Sequence, residues 1–250
     1  MNDVAHVESL QHLSFPNESS AYRKARNDLL EAERELRRQV ENVAAQRRAL
    51  PPGGEIAQDY IFERVGANDM PEKVKLSALF SGGRNALALY SFMYGPERDE
   101  PCSGCTHMLD SLDGVARHAT QRINLYIVAK SPLARLLAFA RERGWKYLSF
   151  LSTAGNSYDR DYYGDSLGLK PAMRKQQAFK DGEEWDMPIL NIFRRDGAVI
   201  RHFWASELLY VPPEPGQEYR HNDAIDPLWG LLDTVPEGRG DFEPKLAYRG

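Results

Sequence analysis

The period of the apolar positions changes several times along the chain. From about Ser20 to Leu50, Leu29, Leu36, Val40 and Val43 recur at three-to-seven-residue spacings among Glu, Arg and Lys, which predicts one long helix. Pro51-Pro52-Gly53-Gly54 stops it. Asp59 to Val65 alternates, Val74-Lys75-Leu76 begins a second short strand, and Ser81-Gly82-Gly83-Arg84 is a turn in which Arg84 is a turn residue. Asn85 to Met93 is a mostly apolar run suited to the middle of a sheet. Met108, Leu109, Leu112, Val115 and Ala116 then share one helical face, Ile123 to Ala129 is a second core strand, and Ser131-Pro132 opens another helix that ends at Gly144. Trp145 to Leu151 reads as a short strand.

Residues 154–186 are polar, aromatic and irregular, which suggests a surface insertion. Pro188 to Phe193 and Ala198 to Trp204 flank the turn Arg195-Asp196-Gly197 and predict a hairpin. A helix around Asn222 to Leu232 and a Pro/Gly-rich tail close the chain. This order divides it into an N-terminal helical extension over 1–54, a main domain over 55–235 and a tail over 236–250. Strands alternating with helices imply parallel neighbours, and the hairpin adds an antiparallel edge, so the class is α/β.

Composition narrows the partners. A 250-residue chain with a net charge of −4 shows no electrostatic footprint for nucleic acid or a membrane surface, which leaves small molecules or proteins. The thin apolar stripe of the long helix reads as a solvated face packing on the body or on a second subunit, and makes a homodimer a reasonable expectation. MNDVAHVESLQHLSF has neither the basic start nor the apolar core of a secretory signal, and no later run reaches transmembrane length, so the expected compartment is the cytoplasm. There a disulfide between the two cysteines, set two residues apart, has no structural use; a bridge would form for chemistry.

Those cysteines, Cys102 and Cys105, sit where the first core strand gives way to a helix. A cysteine at a helix start is helped to ionise by free backbone N–H groups, and the second, one turn on, can attack a mixed disulfide at the first. On this reading Cys102 is the nucleophile, Cys105 the resolving thiol, and the partner a thiol or disulfide substrate. Glu97, Asp99 and Glu100 place negative charge beside the pair, which opposes thiolate formation. Two other readings stand beside it: a pair of small buried hydrophobes, or a zinc or copper site built from Cys102, Cys105, His107 and Asp110 with His118, His202 or His221 as a remote ligand. Cys105 and His107 lie about 200° apart on a helix, which argues against a shared metal and leaves His107 on the surface. No Gly-rich phosphate loop or Ser-His-Asp grouping stands out, and no cofactor is expected.

Cys-x-x-Cys at the start of the first helix, with a proline opening the hairpin, resembles the thioredoxin fold. VKLSALFSGGRNALALYSFMYGP and RRDGAVI are similar to the corresponding stretches of its peroxiredoxin branch. FMYGPERDEPCSGC, HMLDSLDG and FLSTAGNSYDRDYYG resemble a bacterial thioredoxin-like family of unknown function described as predicted dithiol-disulfide oxidoreductases. The resemblance implies a cis proline at Pro188 against the dithiol, with the backbone of Met187 pairing with the substrate chain. It also implies that the loop after the third strand lies near the active face, where Asn156, Tyr158 and Asp159 would shape a substrate pocket. Two residues depart from it: Glu100-Pro101 replaces the aromatic residue before the thioredoxin motif, and Asp99 stands where a peroxiredoxin carries its peroxide-binding threonine.

Overall fold

The computed structural model describes residues 13–217, 220–221 and 223–247. The leader reading falls mostly on 1–12, and the expected start of the last helix at Asn222 also lies outside the described residues. The chain divides into two compact units, Met1–Pro51 and Pro52–Gly250.

The first unit carries α1 (Ser20–Arg48). Ser19 caps it, its Oγ accepting the N–H of Tyr22 at 3.1 Å. Pairs one turn apart, Lys24–Asp28, Glu31–Arg34 and Glu35–Arg38, line its surface at 2.6 to 2.8 Å. Exposed pairs of this kind each add a few tenths of a kcal/mol. None of the helix's residues is buried, and Leu36 and Val40 are more than half exposed.

The second unit is built on one seven-stranded sheet. Its strands are β1 (Ile61–Val65), β2 (Pro71–Lys75), β3 (Ala86–Ser91), β4 (Asn124–Ala129), β5 (Phe150–Ser152), β6 (Leu190–Asp196) and β7 (Val199–Ala205), in the order β2-β1-β5-β4-β3-β6-β7. β3, β4 and β5 run parallel, joined through α2 (Ser103–Ala119) and α3 (Leu133–Arg143); β6 is antiparallel to β3, and β7 to β6. A parallel strand-helix-strand unit with a hairpin added on the side of its first strand is the thioredoxin-like motif. With β1 and β2 on the far edge it takes the peroxiredoxin-branch form, here preceded by an N-terminal helix.

Alternation along β3 explains the two layers of core. Leu87 and Leu89 face a cluster with Tyr60, Phe62, Tyr158 and Phe193, whereas Tyr90 faces α2 and α3 with Cys105, Met108, Leu109, Ile127 and Leu136. Both faces are covered, which is why the strand reads as a continuous apolar run. Inside the turn before β3, the buried Asn124 accepts from the backbone and hydroxyl of Ser81, each at 3.1 Å, and donates to the carbonyls of Arg84 and Ala86.

Several local expectations are corrected. Pro132 rather than Ser131 caps α3, because its carbonyl accepts the first helical N–H groups while the Ser131 side chain makes no cap. The hairpin turn is Gly197-Ala198, one residue later than expected, with Asp196 paired to Val199 and Gly197 at φ 59°. The strand read at 145–151 shortens to β5, and the last helix shortens to α6 (Pro227–Leu232), capped by Asp226. Residues 154–186 are not a surface insertion: α4 (Tyr158–Asp161), α5 (Pro171–Gln176) and a helical turn at Ser166–Gly168 bury Tyr158, Asp159, Asp165, Ser166 and Leu169. Among the described residues no helix is long and apolar enough to cross a membrane.

Candidate active site

Because β3, β4 and β5 are parallel, their carboxyl ends share one edge of the sheet, and β6 begins at that same edge. Ligand sites of open α/β sheets form at such edges. The loop from β3 reaches its end when the N–H of Cys102 donates to the carbonyl of Met93 at 3.0 Å. Cys102 is the N-cap of α2: its backbone is extended and its Sγ accepts the N–H of Cys105 at 3.4 Å. The Thr106 hydroxyl ties down the Cys102 carbonyl at 2.8 Å.

Both cysteines are free, Cys102 half-buried and Cys105 buried. They are electrically unlike. A hydrogen bond from the Cys105 thiol pulls the Cys102 sulfur down to about 6 against the cost of burial, helped by the N–H groups of Cys105 and Gly104 and by the charge of Arg98. Burial, then the neighbouring Cys102 sulfur, pushes Cys105 well above the ordinary thiol range. The acidic loop does not oppose the thiolate as its composition suggests. Glu97, Asp99 and Glu100 are exposed, where water screens them, while Arg98 turns inward over the ring of Trp185 at 5.2 Å.

That loop is held from two sides. Arg135 of α3 lies 4.1 Å over the Tyr94 ring and donates to the carbonyls of Gly95, Arg98 and Asp99. The buried Asp186 accepts the N–H of Gly95 at 2.7 Å and pairs with Lys130 at 2.9 Å; Lys130 also binds Asp165 and Glu184. Hydrogen bonds to the Glu184, Asp186 and Asp165 carboxylates outweigh burial and raise the Lys130 ammonium above its ordinary range.

Pro188, Met187 and the loop after β5 are placed differently from expectation. The Met187–Pro188 bond is trans, and β6 begins two residues after the proline. The Met187 N–H is already used, donating to Gly164 at 3.0 Å, and its side chain packs with Leu169, Ile189, Ala205 and Tyr210 rather than with the cysteines. Asn156 braces its loop, donating to the Ile61 carbonyl at 2.8 Å and accepting from the Tyr158 N–H at 2.9 Å. Tyr158 is fully buried in the aromatic cluster, and Asp159 is enclosed with Thr153 donating to its carboxylate. Asn156 alone of the three borders open space, a groove of about 560 Å³ beside β1.

Three of the candidate metal ligands, His107, Asp110 and His202, are held by partners away from the cysteines. His107 is not a surface residue: it donates from Nε2 to Asp226 at 2.6 Å and meets Trp229 edge to face. Asp110 pairs with Arg143 at 2.5 Å and accepts from Trp145, and His202 pairs with Asn191 at 3.0 Å. Among the described residues no group of three or more His, Cys, Asp or Glu is gathered to hold a metal. The groups that sequence reasoning missed are Tyr90, Arg98, Arg135 and Asp226. Arg98 alone carried a signal, as the one cation in GPERDEPC; the others depend on which chain segments meet.

Residues 13–249 match the family described as a bacterial protein of unknown function, DUF899. The chain belongs to this family. No curated protein matches it. Solved structures similar to this DUF899 chain include the reduced 2-Cys peroxiredoxin of Plasmodium vivax, at 17% identity over 70% of this chain and 95% of that one, with a TM-score of 0.40. The antioxidant protein (1-Cys peroxiredoxin) of Plasmodium falciparum is 13% identical over 62% and 83%, at 0.42. The exposed lipoprotein thioredoxin of Streptococcus pneumoniae is 14% identical over 57% and 87%, at 0.34.

Proposed function

We propose that this DUF899 protein is a thiol-disulfide oxidoreductase whose working couple is Cys102 and Cys105. The observation that carries the reading is the cap of α2, where one half-buried sulfur receives the N–H of Cys105 and is stabilised as a thiolate while its neighbour is kept a thiol. The Cys102 thiolate attacks one sulfur of a substrate disulfide, forming a mixed disulfide and expelling the other sulfur as a thiolate, which takes a proton from water. Cys105 then forms a bond to the Cys102 sulfur, the bond from Cys102 to the substrate breaks, and the second substrate thiol leaves with the Cys105 proton. The protein is oxidised by two electrons and the substrate reduced; run backwards, the same steps oxidise a dithiol.

The substrate is a thiol or disulfide reached at the carboxyl edge of the sheet. Pro188 and Met187 lie beside Asp186, which holds the loop ahead of the dithiol, so their proposed part is to support that loop.

Iodoacetamide labelling against pH tests the reading. One thiol should react with a midpoint near 6, the Cys102→Ser variant should lose that reaction and all disulfide-reductase activity, and the wild type should titrate as a reversible two-electron couple. Full reductase activity in Cys102→Ser would remove the proposal.

A further inference from the structure

Tyr90 lies in the middle of the sheet, fully buried, on the face of β3 that packs against α2 with Cys105 and Met108. Its hydroxyl adjoins the Cys105 sulfur, the one group that acts on it as a hydrogen-bond partner, yet among the described residues no contact of full hydrogen-bond geometry satisfies it. Buried hydroxyls without a partner are rare, and a phenylalanine would fill the same space without one.

The surroundings fix the state of this hydroxyl. Burial, then the negative charge that the two sulfurs and Asp226 direct at it, holds its proton well above the ordinary tyrosine range, so it is a donor throughout the working pH range. Asp226 is not free to take that proton in the resting fold: Oδ2 is occupied by His107 and Oδ1 by the N–H of Leu228 at 3.1 Å. A neutral thiol is a weak acceptor, and a thiolate a strong one. The donor therefore has no good partner while Cys105 is a thiol and gains one when Cys105 becomes an anion. The Met93 backbone N–H faces the same sulfur as a second donor.

We infer that Tyr90 is a catalytic residue of the resolving step, donating a hydrogen bond to Cys105 as it attacks the mixed disulfide. The inference rests on the thiol-disulfide reading of the pair. The electron pair of Cys105 forms the bond to Cys102, the pair of the broken bond leaves on the substrate sulfur, and that sulfur carries away the Cys105 proton. Tyr90 keeps its own proton and favours the thiolate that Cys105 becomes as its proton departs, so that more of the attacking form is present.

The test uses the reduced full-length protein and the disulfide 5,5′-dithiobis(2-nitrobenzoate), which releases one coloured thiolate when Cys102 attacks and a second when Cys105 resolves. In Tyr90→Phe the first phase should stay within about twofold of wild type, while the second slows about tenfold and its pH midpoint moves upward. Replacing Tyr90 by 3-fluorotyrosine, a stronger donor of nearly the same shape, should speed the second phase, and covers the case in which the phenylalanine variant folds poorly. A second phase indifferent to both changes would overturn the role of Tyr90 and leave the dithiol couple standing. A wild type that never releases the second equivalent would instead remove the couple, and the inference with it.

Discussion

Single residues at the sheet edge owe their chemistry to burial more than to type. Cys102 and Cys105 are three positions apart, yet one is driven toward thiolate by hydrogen bonds from the Cys105 thiol and the start of α2, and the other away from it chiefly by burial. At Asp159 burial is the largest influence, with smaller help from the nearby Asp186 and Asp165 carboxylates. Enclosure raises its carboxyl to about 6, against the hydrogen bond from Thr153 and the charge of Lys130. An acid whose folded pKa is raised favours folding most below its unfolded value and loses that contribution as pH rises through the folded one. Stability should therefore fall between about pH 4 and 6 by on the order of 3 kcal/mol. Asp159→Asn, keeping an acceptor for Thr153, should flatten that fall; urea melts at pH 4, 5, 6 and 7 would show it. Identical slopes in wild type and variant would place the raised carboxyl elsewhere.

Elements position these residues through loops that only one or two side chains hold. The stretch from Gly95 to Glu100 has no regular structure and three exposed acids, but Arg135 gathers three of its carbonyls and stacks on Tyr94. Arg135→Ala should cost about 2–4 kcal/mol in a thermal or denaturant melt, the range expected for charged hydrogen bonds lost from a partly buried site. The same variant should raise the iodoacetamide midpoint of Cys102, since Arg98 would no longer be held beside it. An unchanged midpoint would mean that the Cys105 thiol and the N–H groups of α2 set the acidity without Arg98. At this scale the sequence was informative where periodicity is strong. α1, β3, α2, β4 and the hairpin lie where the apolar spacing puts them, with the hairpin turn one residue along, since Gly197 is the first loop residue and Asp196 the last strand residue. Residues 154–186 defeated it because their polar side chains satisfy one another inside the fold, as Asp165 and Asp186 do on Lys130, so polarity did not mean exposure.

Across the whole molecule, all seven strands and both cysteines belong to the unit Pro52–Gly250, while α1 carries its own cap and ion pairs within Met1–Pro51. A protein beginning at Pro52 should keep the far-ultraviolet dichroism of the sheet domain and label at Cys102 with the midpoint of the intact chain. Loss of both would tie the fold of the sheet to the first unit. Light scattering of the two forms would also report on the homodimer that the stripe of α1 suggests.

The amino-acid sequence by itself determined the elements with a clean period, the thioredoxin-like order in which they follow one another, and the placement of two sulfurs one turn apart at a helix start. These are local properties, set by spacing and by residues near in the chain. Tertiary structure alone decided the trans bond before Pro188, the enclosure of Tyr158 and Asp159, the pairing of His107 with Asp226 and the position of Tyr90 behind Cys105. Each depends on segments tens of residues apart meeting in a medium of low dielectric, where a hydrogen bond gained or missed outweighs anything the local pattern encodes.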